Sequence, residues 1–193
     1  RLRVAIQAAK ESNMPKDNIS RAISKSDITG DKNYENLRYE GFGPFNTALI
    51  IETLTDNKNR SASSIRTVLQ KNGGRLGETG STSHLFNNCG IIRIEKNKIS
   101  EEDAFNIAIN SGAKDCYQIN SFHEIITNKE DFYKIKTELE KNVKTFAYSA
   151  IEWRPLTNLN LNNDQNQKLI GVLNALEDLD DVQNVFCNVK LNN

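Results

Sequence analysis

Apolar residues recur every three or four positions from the start of the chain. Leu2, Ile6 and Ala9 share one face, with Arg1, Arg3, Gln7 and Lys10 opposite, which predicts a helix ending near Ser12-Asn13. Pro15 suits the first turn of a second helix, with Asn13 as its cap and Ile19, Ala22 and Ile23 continuing the stripe to about Lys25. Ser26 to Asn33 reads as a linker. From Tyr34 the period shortens. Leu37 to Glu40 alternates as a strand, Gly41 to Pro44 turns, and Thr47 to Thr53 is a buried strand rich in β-branched residues. Asp56 to Arg60 reads as a polar loop. Ser61 to Asn72 reads as a helix, with Ile65, Val68 and Leu69 inward and Gly73-Gly74 ending it. His84 to Phe86 and Gly90 to Glu95 read as two short strands.

The second half repeats the alternation of periods. Ser100 opens a helix with acids in its first turn, running to about Ser111. Cys116 to Asn120 and Phe122 to Thr127 form a hairpin, Lys129 to Leu139 a helix, and Ala147 to Arg154 a strand. That order resembles a split βαβ unit. A last helix, Asp164 to Leu176, and a last strand, Val182 to Val189, have no sheet of their own, so they are expected to return to the first one. The fold class is therefore α+β: a partial N-terminal helical domain followed by two small α/β sandwich-like, split βαβ domains, one inserted in the other. The expected boundaries are 1–30 for the helical remainder, 31–96 plus 157–193 for the central domain, and 97–156 for an inserted ferredoxin-like domain. Arg1 in place of Met, with helical spacing from the first residue, leads to the expectation that a segment precedes this one.

Composition narrows the function classes. The 193 residues suit two small domains. No run approaches the roughly 18–20 apolar residues of a membrane helix, and no signal-peptide pattern opens the chain, so no membrane partner is expected. Cys89, Cys116 and Cys187 lie far apart without a CxxC pair. A reducing, cytoplasmic compartment follows, with neither zinc nor a disulfide framework. The 25 basic and 25 acidic residues cancel. Their distribution does not: residues 1–30 carry a net +3 and residues 157–193 a net −3. Such a dipole lets a basic front meet a polyanion, although ordinary fluctuation of surface charge reads the same way.

Candidate chemistry is sparse. His84 and His123 stand in no nucleophile motif, Glu101-Glu102 and Asp180-Asp181 suit a helix start and a turn, and the glycine-rich Gly73 to Ser81 lacks the GK[ST] of a P-loop. No catalytic residue, metal ligand or cofactor site is expected. The better candidates are basic. Arg1, Arg3, Lys10, Lys16, Arg21 and Lys25 lie on the two N-terminal helices, and Lys58, Arg60, Arg66, Lys71 and Arg75 flank one loop–helix–loop. Cations on a helix face suit phosphates; the plain alternative is a solvated face, with Ser61 capping the helix and the glycines serving as C-cap and turn. Few exposed aromatics accompany these bases, so a stacking platform is not evident.

Several stretches carry a resemblance. Asn13-Met14-Pro15-Lys16-Asp17-Asn18-Ile19, Arg38 to Pro44 (RYEGFGP), Thr55 to Arg60 (TDNKNR), Lys71 to Gly77 (KNGGRLG) with Gly80-Ser81 and Phe86, and Ala175 to Val185 (ALEDLDDVQNV) together resemble the YebC family. Its mitochondrial relative is the translational activator of cytochrome oxidase subunit I. The resemblance spans nearly the whole chain in order, and 97–156 matches mainly in pattern. Two departures stand out. Phe45-Asn46 replaces a usual glycine pair, and the family's basic N-terminal stretch is absent from this sequence. The resemblance implies three domains, the second interrupted by the third, and a non-enzymatic role in gene expression. Bacterial members are described as DNA-binding transcriptional regulators; some members act in translation at the ribosome. Three readings follow: a transcriptional regulator binding duplex DNA, a translation factor binding ribosomal RNA, and an enzyme hidden in a cleft between domains. No helix-turn-helix pattern favours base-specific readout. The scatter of His84 and His123 disfavours the enzyme. The oligomeric state, the target genes and the nucleic-acid sequence stay open.

Overall fold

A strand whose every residue is buried needs cover on both faces, and the run Ala48 to Ile51 has it. A computed structural model describes Ala9, residues 14–28 and residues 34–190, with the backbone alone at residue 22 and residues 24–28. It divides the chain into two units, Arg1–Glu35 and Asn36–Asn193. In the first unit, helix α1 (Lys16–Ile28) starts just after Pro15, whose carbonyl accepts from the Asn18 and Ile19 amides, and Ile19 is buried. It continues into the stretch expected as linker. The helix expected from Arg1 lies outside the described residues except for Ala9.

The second unit holds two four-stranded sheets. The first has the order β3-β1-β2-β8, from β1 (Glu35–Phe42), β2 (Ala48–Thr55), β3 (Arg75–Leu76) and β8 (Val182–Cys187). Helices α2 (Lys58–Lys71) and α5 (Asn163–Glu177) supply its core, where Leu49 and Ile51 of β2 meet Ile65, Leu69, Leu169, Val172 and Leu176. The opposite face of β2, Ala48 and Ile50, meets Phe86, Leu85, Trp153 and Phe186. That double cover explains why the Ala48 to Ile51 run of β2 is continuously apolar rather than alternating. β8 pairs antiparallel with β2, Ile51 opposite Val185, and a register shift between Glu52 and Thr53 lets the Leu54 amide reach the Asp181 carbonyl at 2.8 Å. Helix α5 starts in a capping box: Asn162 Oδ1 accepts from the Gln165 amide at 2.9 Å, and Gln165 Oε1 accepts from the Asn162 amide at 3.1 Å.

The second sheet has the order β5-β6-β4-β7, from β4 (Phe86–Glu95), β5 (Asp115–Ile119), β6 (Phe122–Asn128) and β7 (Tyr148–Pro155). Helices α3 (Glu101–Asn110) and α4 (Phe132–Glu140) bury Ala108, Phe132, Ile135 and Leu139 against Ile92, Ile94 and Ile125. Two features depart from the sequence expectation. His84 to Phe86 is not a strand: Ser83–Leu85 forms a 3₁₀ turn, and Phe86 to Glu95 is one continuous strand. That strand pairs with β6 and β7 rather than joining the first sheet. It supplies the first strand of a β-α-β-β-α-β unit, which residues 97–156 alone leave incomplete. The physical reason is Gly90. It looks like a strand boundary, yet a Cβ there would overlap the Phe132 ring and the Thr127 hydroxyl. Gly90 is a packing position inside a strand.

Replacing Gly90 with Ala should therefore overpack the α4–β4 contact and cost about 1–3 kcal/mol, measured as a lower urea midpoint with an unchanged m value. A midpoint equal to that of the unsubstituted protein would show that Phe132 yields without strain.

Candidate nucleic-acid interface

Helix α2 begins three residues earlier than its apolar stripe suggests. Asn57, not Ser61, is the cap: its Oδ1 accepts from the Arg60 amide at 3.1 Å. Lys58 and Arg60 thus stand on the first helical turn, where a polar loop was expected. The turn is anchored from outside. Tyr39 Oη donates to the Lys58 carbonyl at 2.8 Å, and the Asn57 amide donates to Thr55 Oγ1 at 2.9 Å.

Asp181 closes this end of the helix. Its carboxylate accepts from Ser61 Oγ at 2.6 Å, from Thr55 Oγ1 at 3.1 Å and from Arg60 Nη2 at 2.8 Å. Arg60 Nη2 also reaches Asp56 Oδ1 at 2.7 Å. Burial pushes the Asp181 carboxyl up, but the hydrogen bonds from Arg60, Ser61 and Thr55 outweigh it and hold it below the usual carboxylate range. The hydrogen bond to Asp181, then that to Asp56, raises Arg60 in turn. So the TDNKNR stretch and the LDDV stretch, more than a hundred residues apart, are two halves of one network.

Glu40 of the RYEGFGP stretch does similar work at the sheet's other end. Its buried Oε2 accepts from the Thr82 and Ser83 amides, both at 2.8 Å, and Arg38 Nε lies 3.3 Å from Oε1. Burial raises its carboxyl, yet those amides and the Arg38 charge bring it below its ordinary value. The glycine-rich segment is tied down by this carboxylate and by Thr82 Oγ1 donating to the Leu49 carbonyl at 2.9 Å. In the second sheet, fully buried Glu124 accepts from Arg93 Nε at 2.6 Å, Arg154 Nη2 at 3.0 Å and Tyr117 Oη at 2.8 Å. Burial is again outweighed, and Glu124 is held ionised. Tyr117, partly buried beside this carboxylate, is pushed up to about 12. His84 is exposed with Nδ1 3.2 Å from the Gly80 carbonyl, while His123 is buried with Nε2 3.2 Å from the Ile99 carbonyl. Among the described residues, no group of three or more His, Cys, Asp or Glu could hold a metal ion, and no helix is long and apolar enough to cross a membrane.

The basic candidates sort accordingly. Arg1, Arg3 and Lys10 lie outside the described residues. Lys16 and Arg21 are exposed on α1, and Lys25 lies on the same helix with its side chain outside the described residues. Lys58, Arg66 and Lys71 are exposed on α2. Arg75 is exposed on β3 with its guanidinium 4.4 Å above the Phe42 ring. Arg60 is half-exposed, but its guanidinium is engaged by two carboxylates. At 100° per residue, Lys58, Arg66 and Lys71 fan around the helix rather than forming one row. Arg66 and Lys71 flank an outward strip of Ser63, Thr67 and Gln70. Every charged residue of α2 is basic. The sequence pattern did not single out Lys168, which lines a cleft with Asn72 and Gly73 beyond the end of α2. The available signal was its place as the one basic residue of α5.

The low carboxyl positions have a sign. The stability that Glu40 and Asp181 contribute is complete above the usual carboxylate range and is lost as pH falls through their depressed folded-state values. Glu40→Gln should lower the urea midpoint at about pH 7 by roughly 1–3 kcal/mol of stability and flatten the acid limb below about pH 4. An acid limb unchanged by the substitution would remove Glu40 from that linkage.

A family model described as "TACO1/YebC second and third domain" matches residues 34–189, the span that carries both sheets and the network around Asp181. The "Probable transcriptional regulatory protein SAR11_0592" of Pelagibacter ubique (strain HTCC1062) is 51% identical over 193 residues, all of this chain and 80% of that protein. The crystal structure of "a Conserved Hypothetical Protein Aq1575 from Aquifex Aeolicus" matches with a TM-score of 0.81 at 39% identity, over 99% of this chain and 79% of that one. With the family's second and third domains matched over most of its length and a relative identical at half of its positions, this chain belongs to the TACO1/YebC family.

Proposed function

We propose that this protein is a non-enzymatic regulator of gene expression that binds nucleic acid through phosphate contacts along α2. One observation carries the reading: α2 presents Lys58, Arg66 and Lys71 to solvent, contains no acid, and is fixed at its start by the Asn57 cap and the Asp181 network. Arg75 adds a fourth cation just beyond the helix. A cationic helix held rigidly meets a polyanion with little ordering cost, because its backbone is already placed. Arg60 serves this surface indirectly, as a positioning residue bound to Asp181. The regulatory role agrees with the name of the Pelagibacter relative. Cytoplasmic residence accompanies this reading.

The nucleic acid can be duplex DNA at a promoter or ribosomal RNA at a translating ribosome. The second is favoured by the fan of cations around α2. Phosphates of a regular duplex lie along two smooth ridges, whereas folded RNA presents them at irregular angles. The same proposal keeps a central domain interrupted by an inserted one, with β4 moved to the inserted unit.

Replacing Lys58, Arg66, Lys71 and Arg75 together with Ala should leave the urea midpoint nearly unchanged and weaken binding. The slope of log affinity against log salt should fall by about 0.7–0.9 for each phosphate that the variant no longer neutralises. The check is ribosome co-sedimentation across a salt series with labelled duplex DNA as competitor. Retention on ribosomes despite excess duplex supports the translation reading, and release with a preferred sequence supports promoter binding. Unchanged affinity in the folded fourfold variant removes α2 from the interface.

A further inference from the structure

The turn after β1 holds Phe45 in a conformation that a phenylalanine rarely adopts. Phe45 has φ 60° and ψ 26°, and Asn46 follows with φ 58°, so two consecutive non-glycine residues are left-handed. Left-handed backbone costs an L-residue roughly 1–2 kcal/mol. Thr47 imposes it from within. Its amide and hydroxyl both donate to the Pro44 carbonyl, at 3.2 and 2.9 Å, while its own carbonyl accepts from the Gly43 amide at 2.8 Å. Thr47 and Pro44 are buried. The effect is to push the Phe45 side chain outward, where it remains 38% exposed. Burial of the ring therefore does not account for the strain.

Phe45 lines a cleft of about 580 Å³. Its other walls include Asn72 and Gly73 at the end of α2, and Lys168 and Gly171 on α5. Lys168 and Gly171 are three positions apart, so they share one face of the helix. None of the described lining residues is acidic; Lys71 immediately precedes Asn72 in the chain, and Arg75 follows Gly73 by two positions.

Gly171 is the second anomaly. It sits inside α5, where glycine is about 1 kcal/mol less favourable than alanine. Yet a Cβ placed there meets nothing within 4 Å. Internal packing gives no reason for the glycine, unlike Gly90, whose space is filled. A bare helix backbone in a cationic cleft leaves room for something external to approach closely.

We infer that this cleft receives a single unpaired nucleotide of a bound RNA, its base stacked on Phe45, its phosphate at Lys168, and its sugar–phosphate backbone against Gly171. An aromatic ring for the base and a cation for the phosphate are the elements of such a subsite, and the open space at Gly171 leaves a wall that the backbone can approach. The inference rests on the nucleic-acid reading of α2 and adds what α2 alone lacks, a preference for unpaired over paired strand. Phosphates of the folded RNA held along α2 anchor it, and the cleft beyond the helix's C-terminal end takes a neighbouring unpaired nucleotide.

The test compares two labelled RNA hairpins, one fully paired and one with a single-nucleotide bulge, binding to the full 193-residue chain. The unsubstituted protein should bind the bulged hairpin about tenfold more tightly. Phe45→Gly removes the ring and relieves the left-handed strain; Gly171→Ala fills the wall. Both should abolish the preference while leaving affinity for the paired hairpin intact. Gly171→Ala should also raise or leave unchanged the melting temperature, so a folding defect cannot mimic the result. An unsubstituted protein that binds both hairpins equally, with affinity still dependent on the α2 cations, overturns the cleft but keeps the α2 reading. Binding to neither hairpin at low salt overturns both for RNA. A lower melting temperature for Gly171→Ala assigns the glycine to the fold and overturns the inference.

Discussion

Asp181 is the joint that sets the direction of α2. A carboxylate taken largely out of water must be paired, and this one draws its partners from the end of β2 and the first turn of the helix. The register shift in the β2–β8 pairing brings it there. Because Ser61 is buried and Arg60 is doubly paired, the first turn of α2 has one azimuth relative to the sheet. The cations further along the helix inherit that azimuth. Removing the carboxylate would leave Arg60 with Asp56 and a long hydrogen bond to Thr55 Oγ1, and two hydroxyls without their common acceptor.

Glu40, Glu124 and Asp181 follow one physical rule with different partners. Each is buried enough for desolvation to favour the neutral acid, and each is kept ionised by donors arriving from distant parts of the chain. Glu40 uses backbone amides, which fix a loop; Glu124 uses two guanidinium groups and a phenol, which tie all four strands of its sheet together; Asp181 uses hydroxyls and one arginine, which orient a helix. The shared sequence words are therefore largely architectural. The surface proposed for nucleic acid is made of what this architecture leaves over: exposed lysines and arginines, the outward Phe45 and a bare stretch of helix.

The parts of the fold that were legible in the sequence were those where pattern and packing agree. The apolar stripe of α2, the alternating hairpin of β5 and β6, and the unpaired last helix and strand all follow from spacing. Three features were hidden for separate reasons. Gly90 resembles a boundary because sequence shows a glycine but not the Phe132 ring beside it. The start of α2 resembles a loop because Asp56 to Arg60 is polar, and only the Asn57 cap reveals that the helix has begun. Arg60 resembles a free cation because one of its two carboxylate partners, Asp181, lies 121 residues away and the other, Asp56, stands in a stretch that reads as a loop. The Phe45 turn was visible only as a departure from the usual glycines; that its ring is exposed depends on the buried grip of Thr47.

The closure of β2 by β8 has a consequence for the growing chain. Residues 86–155 contain every strand of the second sheet, so that sheet can assemble while synthesis is still in progress. The first sheet cannot, since its final strand is made last. Until residue 187 emerges, β2 offers an unpaired edge carrying Leu49, Ile50 and Ile51, the kind of edge to which other chains add. The isoleucine-rich strand is thus a vulnerability of the nascent protein as well as the centre of the finished one. A premature stop between Pro155 and Val182 would yield a molecule with one complete sheet and one adhesive margin.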